Sequence, residues 1–177
     1  MKTLTLLRHA KSDWDDMTLR DFDRTLNDRG RRGAEAMGAH LRRMGWHCDA
    51  ALASPAARVK RTIEGTAIDV RPRYDDRLYL ADAGTILGLL QEVEGDPASV
   101  LVAGHNPGLQ ELIFLLVGPE HENALLSEAA AKFPTATIAV LELAIDRWTD
   151  IAPGCGELVH FARPRDLDPE LGPERVR

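Results

Sequence analysis

Residues 4–12 read Leu-Thr-Leu-Leu-Arg-His-Ala-Lys-Ser, an apolar run that ends abruptly in an arginine and a histidine. A short apolar run so close to the first residue is typical of a central strand in an α/β sheet. Open α/β sheets bind their ligands in the crevice at the carboxyl ends of the strands. We therefore predict a first strand over residues 3–8, with Arg8 and His9 projecting from its end into that crevice.

The juxtaposition of Arg8 and His9 favours a neutral, nucleophilic imidazole. A neighbouring guanidinium lowers the pKa of a histidine because it disfavours a second positive charge. An isolated Arg-His pair is weak evidence, since the same pattern also describes a surface arginine beside a hydrogen-bonded histidine. The choice between these interpretations depends on two later segments of the chain.

Strands and helices alternate along the rest of the sequence. Further short strands are predicted over residues 50–53, 99–103, 137–143 and 157–161, with a broken strand within 68–80. Helices are predicted over residues 31–44, 55–66, 83–93 and 109–117. Such an alternation predicts an α/β fold, a three-layer α/β/α sandwich with a mostly parallel central sheet.

The chain of 177 residues has the length of one domain with a full core. We predict a single domain over residues 1–162. Residues 163–177 contain three prolines and few apolar side chains, which is typical of an extended or mobile C-terminal arm.

The charge and cysteine content limit the possible partners and compartment. A net charge of -6 argues against nucleic acid as the main partner, so any phosphate site must be a local concentration of positive charge. Cys48 and Cys155 have neither zinc-site nor disulfide spacing, which is typical of a reduced cytoplasm. The apolar stretch after Met1 is too short for a signal peptide, and no run has the length of a membrane span. We predict a cytoplasmic protein that does not bind membranes.

The second informative segment is Ser54-Pro55-Ala56-Ala57-Arg58, which follows a predicted strand and opens a helix. Ser54 and Pro55 are typical of an N-cap and a first helical residue. Arg58 then lies in the first turn of the helix, where a cation is electrostatically unfavourable unless it serves a bound anion. The alternative is an exposed basic helix face, to which the following Lys60 and Arg61 belong.

The third segment, residues 102–108, reads Val-Ala-Gly-His-Asn-Pro-Gly. It places His105 at the end of another buried strand and Pro107 at the start of a helix. Its outline resembles a nucleophile elbow, but Asn106 occupies the serine position, which excludes an α/β-hydrolase. Two histidines and two arginines at three strand ends suit phosphoryl transfer, which needs positioning and charge neutralisation.

Together, the three segments resemble the signatures of the histidine phosphatase superfamily, in particular its small SixA-like branch, over residues 1–162. The resemblance implies a phosphoglycerate-mutase-like fold and no metal or organic cofactor. It also implies that His9 is the nucleophile that becomes phosphohistidine, and that Arg8, Arg58 and His105 hold the phosphoryl group. As additional substrate-binding residues we expect Asn106, Ser12 and Lys11.

One part of the family pattern is missing from this chain. Larger members carry a glutamate after the third strand that acts as general acid, whereas residues 76–80 here, Asp-Arg-Leu-Tyr-Leu, offer a leucine near that place. Asp13, near His9 in sequence, is the candidate replacement, with Asp75, Asp76 and Asp82 as others. A missing acid suits a phosphohistidine substrate, because imidazole can leave as a neutral group whereas an alkoxide needs a proton.

The predicted activity is dephosphorylation of phosphohistidine through His9. The expected partner is a phosphorylated protein, such as a histidine phosphotransfer domain, or a small phosphate ester. The alternatives are a general phosphomonoesterase, a phosphomutase of the same fold, or a non-catalytic module that binds phosphorylated partners. No metal is expected, since the aspartates of residues 13–23 match no calcium loop.

Overall fold

The computed structural model describes residues 1–173 and contains one mixed sheet of six strands in the order β3-β2-β4-β1-β5-β6. The first four strands of that order are parallel, and β5 and β6 are antiparallel to their neighbours. The strands are β1 (Lys2–Arg8), β2 (Ala50–Ala53), β3 (Pro72–Tyr74), β4 (Ser99–Gly104), β5 (Ile138–Leu143) and β6 (Gly156–Ala162). The predicted mostly parallel sheet is confirmed.

Residues 1–173 contain six α-helices. They are α1 (Asp28–Arg43), α2 (Ala57–Thr66), α3 (Ala83–Gln91), α4 (Gly108–Leu116), α5 (Ala124–Ala131) and α6 (Pro164–Leu167). The sequence predicted the first four and missed α5, whose short alanine-rich sequence has few large apolar residues to mark a buried face. No helix within residues 1–173 is long and apolar enough to span a membrane.

Side-chain alternation along the central strands divides the core into two layers. Leu4 and Leu6 of β1 pack with α3 and α4 on one face of the sheet. Leu7 of β1 and Leu101 of β4 pack with α1 and α2 on the other face. Because successive strand side chains point to opposite faces, two buried central strands supply both layers at once. The result is the predicted α/β/α sandwich.

Two helix starts differ from the prediction. The N-cap of α1 is Asn27, whose side chain accepts a hydrogen bond from the backbone N–H of Gly30, so the helix begins three residues earlier than predicted. Helix α2 begins at Ala57 with Ala56 as its N-cap, so Ser54 does not cap it and Pro55 precedes it. This shift releases the Ser54 hydroxyl for the candidate active site. Arg58 remains in the first turn.

The C-terminal segment also differs from the prediction of an extended arm over residues 163–177. Pro164–Leu167 forms α6, and Pro169–Leu171 forms a 3-10 turn. Both lie against α1, and Leu171 is buried there. Pro164 is buried as well, and Leu167 packs against the core, so a few apolar side chains dock this proline-rich segment. The remainder of the predicted arm, residues 174–177, lies outside the described residues.

Candidate active site

The ends of β1, β2 and β4 bring the three informative segments together. In the β1–β4 register Arg8 is opposite Gly104, and the backbone N–H of His9 donates to the Gly104 carbonyl at 3.0 Å. The backbone N–H of Ser54 donates to the Ala103 carbonyl at 3.0 Å. Adjacent parallel strands thus end at one edge of the sheet, and His9 and His105 emerge side by side with their ring centroids 5.4 Å apart.

His9 carries its ring proton on Nδ1. This atom lies 2.8 Å from the carbonyl oxygen of Ala10, which can only accept, so Nδ1 is the donor. The lone pair of the ring is therefore on Nε2. The side chain is buried, and burial first, then the charges of Arg58 and Arg8, lowers the pKa of His9 to about 4. The imidazole is neutral at pH 7 and has the form that a nucleophile needs.

His105 has the opposite tautomer. Its Nδ1 lies 3.3 Å from Nη2 of Arg58, which can only donate, so the ring proton is on Nε2 and is donated to the Ser54 hydroxyl at 2.8 Å. His105 is 3% exposed. Burial first, then the neighbouring His9 and Arg58, lowers its pKa to about 3. Both rings are therefore neutral, and each has one nitrogen whose role is fixed by its partner.

Arg8, the last residue of β1, is held by the loop between α5 and β5. Its Nη1 donates to the carbonyl of Phe133 at 2.9 Å. Its Nε is buried and has no hydrogen-bond partner within residues 1–173. Buried N–H groups are normally paired, so an arginine with an unused donor beside a nucleophile is available to an anion. Burial and the nearby Arg58 lower the pKa of Arg8 from its usual value.

Arg58 is buried and is fixed by a residue that sequence reasoning missed, Asp21. Nη1 of Arg58 donates to the Asp21 carbonyl at 2.8 Å, and Nη2 donates to the Asp21 carboxylate at 3.0 Å. The backbone and the side chain of one residue thus orient the same guanidinium. Five aspartates lie between residues 13 and 23, and no pattern among them singles out Asp21.

Tyr79 is a second residue that was missed. Its hydroxyl donates to the Asp21 carboxylate, and its ring edge faces the His105 ring at a centroid distance of 5.5 Å. The hydrogen bond from Tyr79 and the charge of Arg58 lower the pKa of Asp21. Burial and the Asp21 carboxylate raise the pKa of Tyr79. Tyr79 lies in the segment where the family glutamate was sought, which is the signal that could have found it.

Three side chains of the loop after His9 were predicted to bind substrate or to donate a proton, and each has contacts or a position away from the two histidines. The Ser12 hydroxyl accepts from the Trp14 indole at 3.0 Å. The Asp13 carboxylate accepts from the backbone of Asp15 at 2.9 Å, so it caps a turn. Lys11 is exposed and lines a separate pocket. Within residues 1–173 no hydrogen bond or ion pair joins these three side chains to His9, Arg8, Arg58 or His105.

The other predicted side chains have structural partners. The Asn106 side chain donates to the Phe133 carbonyl at 3.2 Å and accepts from the Gln110 backbone N–H. It therefore supports the same carbonyl to which Arg8 donates. Asp75 accepts from Arg77, and Asp82 is the N-cap of α3. These contacts assign Asp75 and Asp82 to local structure.

The assembled cluster is a positively charged site with a neutral nucleophile. Arg8 and Arg58 flank His9, and the carboxylate that contacts the cluster, Asp21, is ionised and committed to Arg58 and Tyr79. Such a site can bind a phosphoryl group, neutralise its charge and present a nitrogen lone pair to phosphorus. Within the described residues no group of three or more histidine, cysteine or acidic side chains is placed to hold a metal.

Comparisons with known proteins agree with this chemistry. The sequence profile of the histidine phosphatase superfamily (branch 1) matches residues 4–111. An uncharacterised Mycobacterium tuberculosis protein is 40% identical over 160 residues, which are 90% of this chain and 100% of the relative. A solved structure from Nakamurella multipartitia, described as a phosphohistidine phosphatase SixA, has a TM-score of 0.81 at 32% identity, covering 92% of this chain and 96% of that chain.

A second solved structure extends the likeness. It comes from Agrobacterium tumefaciens, is also described as a phosphohistidine phosphatase SixA, and has a TM-score of 0.76 at 29% identity, covering 92% of this chain and 98% of that chain. The profile match includes His9 after β1, Arg58 in the first turn of α2 and His105 after β4. The chain belongs to the histidine phosphatase superfamily, within its SixA-like branch.

Proposed function

We propose that this protein is a phosphatase that transfers a phosphoryl group through His9 and acts on phosphohistidine in a partner protein. The observation that carries the proposal is the distribution of protons in the site. His9 keeps its proton on Nδ1 and offers Nε2, while Asp21 is ionised and engaged by Arg58 and Tyr79. The site thus supplies a nucleophile and positive charge without a carboxylic acid poised to donate a proton.

The first step needs no proton transfer when the substrate is phosphohistidine. His9 Nε2 attacks phosphorus, the phosphorus–nitrogen bond of the substrate breaks, and its electron pair returns to the substrate imidazole. If the other nitrogen of that imidazole carries a proton, the ring leaves as a neutral molecule. His9 likewise keeps its Nδ1 proton, so one phosphorus–nitrogen bond replaces another of the same kind. Arg8 and Arg58 neutralise the transferred oxygens.

The second step is hydrolysis of the phosphohistidine formed at His9. Water adds to phosphorus, the bond to Nε2 breaks, and His9 regains its lone pair in the tautomer that Ala10 fixes. The proton lost by water leaves with phosphate or passes to solvent. We propose that no metal or organic cofactor takes part, as the family resemblance implies.

An alkyl phosphate ester presents a harder first step. Its leaving group is an alkoxide, which needs a proton from a general acid in the transition state. Asp21 has a lowered pKa and Tyr79 a raised one, so neither is a ready donor at pH 7. The preference for phosphohistidine follows from this. A histidine phosphotransfer domain remains the predicted partner and the cytoplasm the predicted compartment.

The test is a comparison of phosphate release from a phosphohistidine-bearing histidine phosphotransfer domain and from an alkyl phosphate, with a chelator present. We expect release from the phosphohistidine substrate to be at least about a hundredfold faster, the usual contribution of general acid catalysis to a reaction that requires it. His9→Ala is the blank. His160→Ala is the matched control, because it also removes a partly buried histidine but leaves the site unchanged.

The other outcomes distinguish the alternatives. Faster release from the alkyl phosphate would identify a general phosphomonoesterase and would require Tyr79 or Asp21 to deliver a proton. Binding of the phosphorylated domain without His9-dependent release would identify a non-catalytic module. Transfer of the phosphoryl group to a second acceptor molecule in place of water would identify a phosphomutase.

A further inference from the structure

A pocket of about 390 Å³ lies beside the candidate active site and is separate from it. The loop after β1, the first turns of α1, the loop before β5 and the C-terminal segment form its walls. None of the residues His9, Arg8, Arg58 and His105 lines it. Pockets of roughly 300–1,000 Å³ are the size that holds small organic ligands. The cavity therefore has room for a molecule other than the transferred phosphoryl group.

The rim of this pocket is cationic. Lys11, Arg29, Lys132 and Arg165 each come from a different wall. None of the four forms an ion pair within residues 1–173, and no aspartate or glutamate of that span lines the pocket. The guanidinium of Arg29 donates one hydrogen bond to the Leu171 carbonyl at 2.9 Å. Four cations that line one cavity and form no ion pair within residues 1–173 are unexpected in a protein with a net charge of -6.

The acidic residues near the pocket are neutralised by other arginines. Asp166 pairs with Arg163 at 3.0 Å, and Glu170 pairs with Arg32 at 3.0 Å. Asp28, next to Arg29, pairs with Arg31. These acids thus have ion-pair partners other than the four rim cations, although the charge of Arg165 also acts on Asp166. Concentrated positive charge in a concave site attracts anions more strongly than the same charge spread over a convex surface.

The floor of the pocket is apolar. Its surface is formed by Ala10, Gly33, Pro134, Ala136, Pro164 and Leu171. A Cβ atom built on Gly33 would lie 3.7 Å from the Ala136 methyl and 3.8 Å from the Pro164 ring, which is ordinary contact. The absence of a side chain at Gly33 therefore opens space that a larger residue would fill. Inorganic phosphate alone would leave this floor uncovered.

We propose that the pocket binds a small organic anion that combines an apolar or aromatic body with at least two negative charges, such as a nucleoside diphosphate. The body covers the apolar floor, and the phosphate or carboxylate groups contact the rim cations. A docked protein surface fits less well, because the cations surround a concave cavity that a convex surface cannot fill. The proposal does not depend on the phosphatase activity.

The pocket shares a wall with the active site. Lys132, Phe133 and Pro134 line the pocket, and the Phe133 carbonyl accepts hydrogen bonds from Arg8 and Asn106. Lys11 follows His9 by two residues. A bound anion that pulls Lys132 and Lys11 together therefore acts on the segments that position Arg8 and His9.

The test is titration calorimetry of the full chain with α,β-methylene-ADP, whose phosphorus–carbon bridge a phosphatase cannot cleave. We expect saturable binding at one site. The double variant Lys132→Gln/Arg165→Gln removes two exposed or partly exposed rim charges, and we expect it to weaken binding about tenfold or more, as loss of charge-assisted phosphate contacts does. Arg43→Gln/Arg71→Gln is the matched control, since both arginines are exposed and lie outside the pocket.

Two further measurements distinguish binding of the apolar or aromatic part of the ligand from simple attraction of its negative charge. Methylenediphosphonate, the charged part alone, should bind about tenfold more weakly or worse than the nucleotide. Gly33→Leu should abolish nucleotide binding while the unfolding temperature shows that the chain is folded. Absence of saturable nucleotide binding, equal weakening in the two double variants, or equal affinity for methylenediphosphonate would each overturn the proposal.

Discussion

Two pairs of histidine rings lie close together in this protein, and only one pair is arranged for catalysis. The ring centroids of His9 and His105 are 5.4 Å apart, and those of His40 and His160 are 5.2 Å apart. Burial is the largest cause that lowers the pKa of all four rings. Neither proximity nor a lowered pKa therefore distinguishes an active site from a structural contact.

The difference is in the nitrogen atoms that remain free. Nε2 of His40 and Nε2 of His160 lie 3.0 Å apart and share a hydrogen bond, so this nitrogen is occupied in both rings. His9 makes its hydrogen bond through Nδ1, and its Nε2 has no hydrogen-bond partner within residues 1–173. Arg8 and Arg58 flank the first pair and provide charge for an anion. What the second pair lacks is a free ring nitrogen next to a buried or half-buried guanidinium such as Arg58 or Arg8.

Replacing the nucleophile tests this comparison most strongly. We expect His9→Ala to lower the rate of phosphate release by roughly a thousandfold or more, because the covalent route is lost. His40→Ala, which opens the second pair, should leave the rate within about twofold, as a surface change does. Steady-state release from the phosphohistidine substrate measures both. Comparable losses in the two variants would show that the pairs are not functionally different.

Removing the flanking charge is the next test. Arg58→Gln should lower kcat/KM about a hundredfold, the usual effect of losing one preorganised donor to the transferred group. Arg61→Gln on the same helix is the control, since Arg61 is exposed and pairs with Glu64. If Arg58→Gln changed kcat/KM no more than Arg61→Gln does, Arg58 would be a structural residue held by Asp21.

Asp21 is predicted to be a positioning residue. We expect Asp21→Asn to lower kcat about tenfold, because one of the two bonds that orient Arg58 weakens, each such charge-assisted bond being worth about 1.5–3 kcal/mol. KM should not rise, because removal of the carboxylate also removes its repulsion of the phosphoryl group. Asp13→Asn is the matched control and should change neither constant. The separation of kcat from KM is the informative result, because a merely destabilised fold would not produce it.

The same comparison shows how far sequence reasoning reaches. Strand ends are local features, so an apolar run followed by Arg-His or Gly-His predicts His9, Arg8 and His105 at one edge of the sheet. For Arg58, its place in the first turn of a helix fits a functional residue and an exposed basic face equally, and the family resemblance decides between them. Asp21 and Tyr79 could not be chosen in this way. Their pairing spans 58 residues, and nothing in either local sequence specifies the other.

The second histidine pair was also missed, and for the same reason. His40 lies in the predicted helix over residues 31–44 and His160 in the predicted strand over residues 157–161. The two are 120 positions apart, and neither local sequence indicates the contact. The C-terminal segment gave the opposite error, since its composition predicted an extended arm, whereas Leu171 anchors it on α1. The composition of a segment does not show which apolar surface of the folded protein it contacts.

The response of the two pairs to acid gives a smaller effect. Histidine side-chain resonances followed by NMR should show His9 and His105 titrating at the lowest pH of the histidines in the protein, near the values of about 4 and about 3. The resonance that is lost in His9→Ala is assigned to His9. A His9 that titrated near 6.5 would show that burial and the two arginines do not lower its pKa.

The smallest expected effect concerns the stability contributed by His40 and His160. Their folded-state pKa values are lowered, so below pH 6.5 the unfolded chain binds more protons and the free energy of unfolding falls with pH. The neutral pair holds one hydrogen bond, worth about 1 kcal/mol. His160→Gln should therefore be less stable than the wild type by about that amount at pH 8, and the difference should shrink as the pH falls toward 5. The acid response of His9 and His105 is common to both proteins and cancels in the difference. Urea unfolding at the two pH values measures it, and a difference that does not change with pH would mean that the pair carries no titrating hydrogen bond.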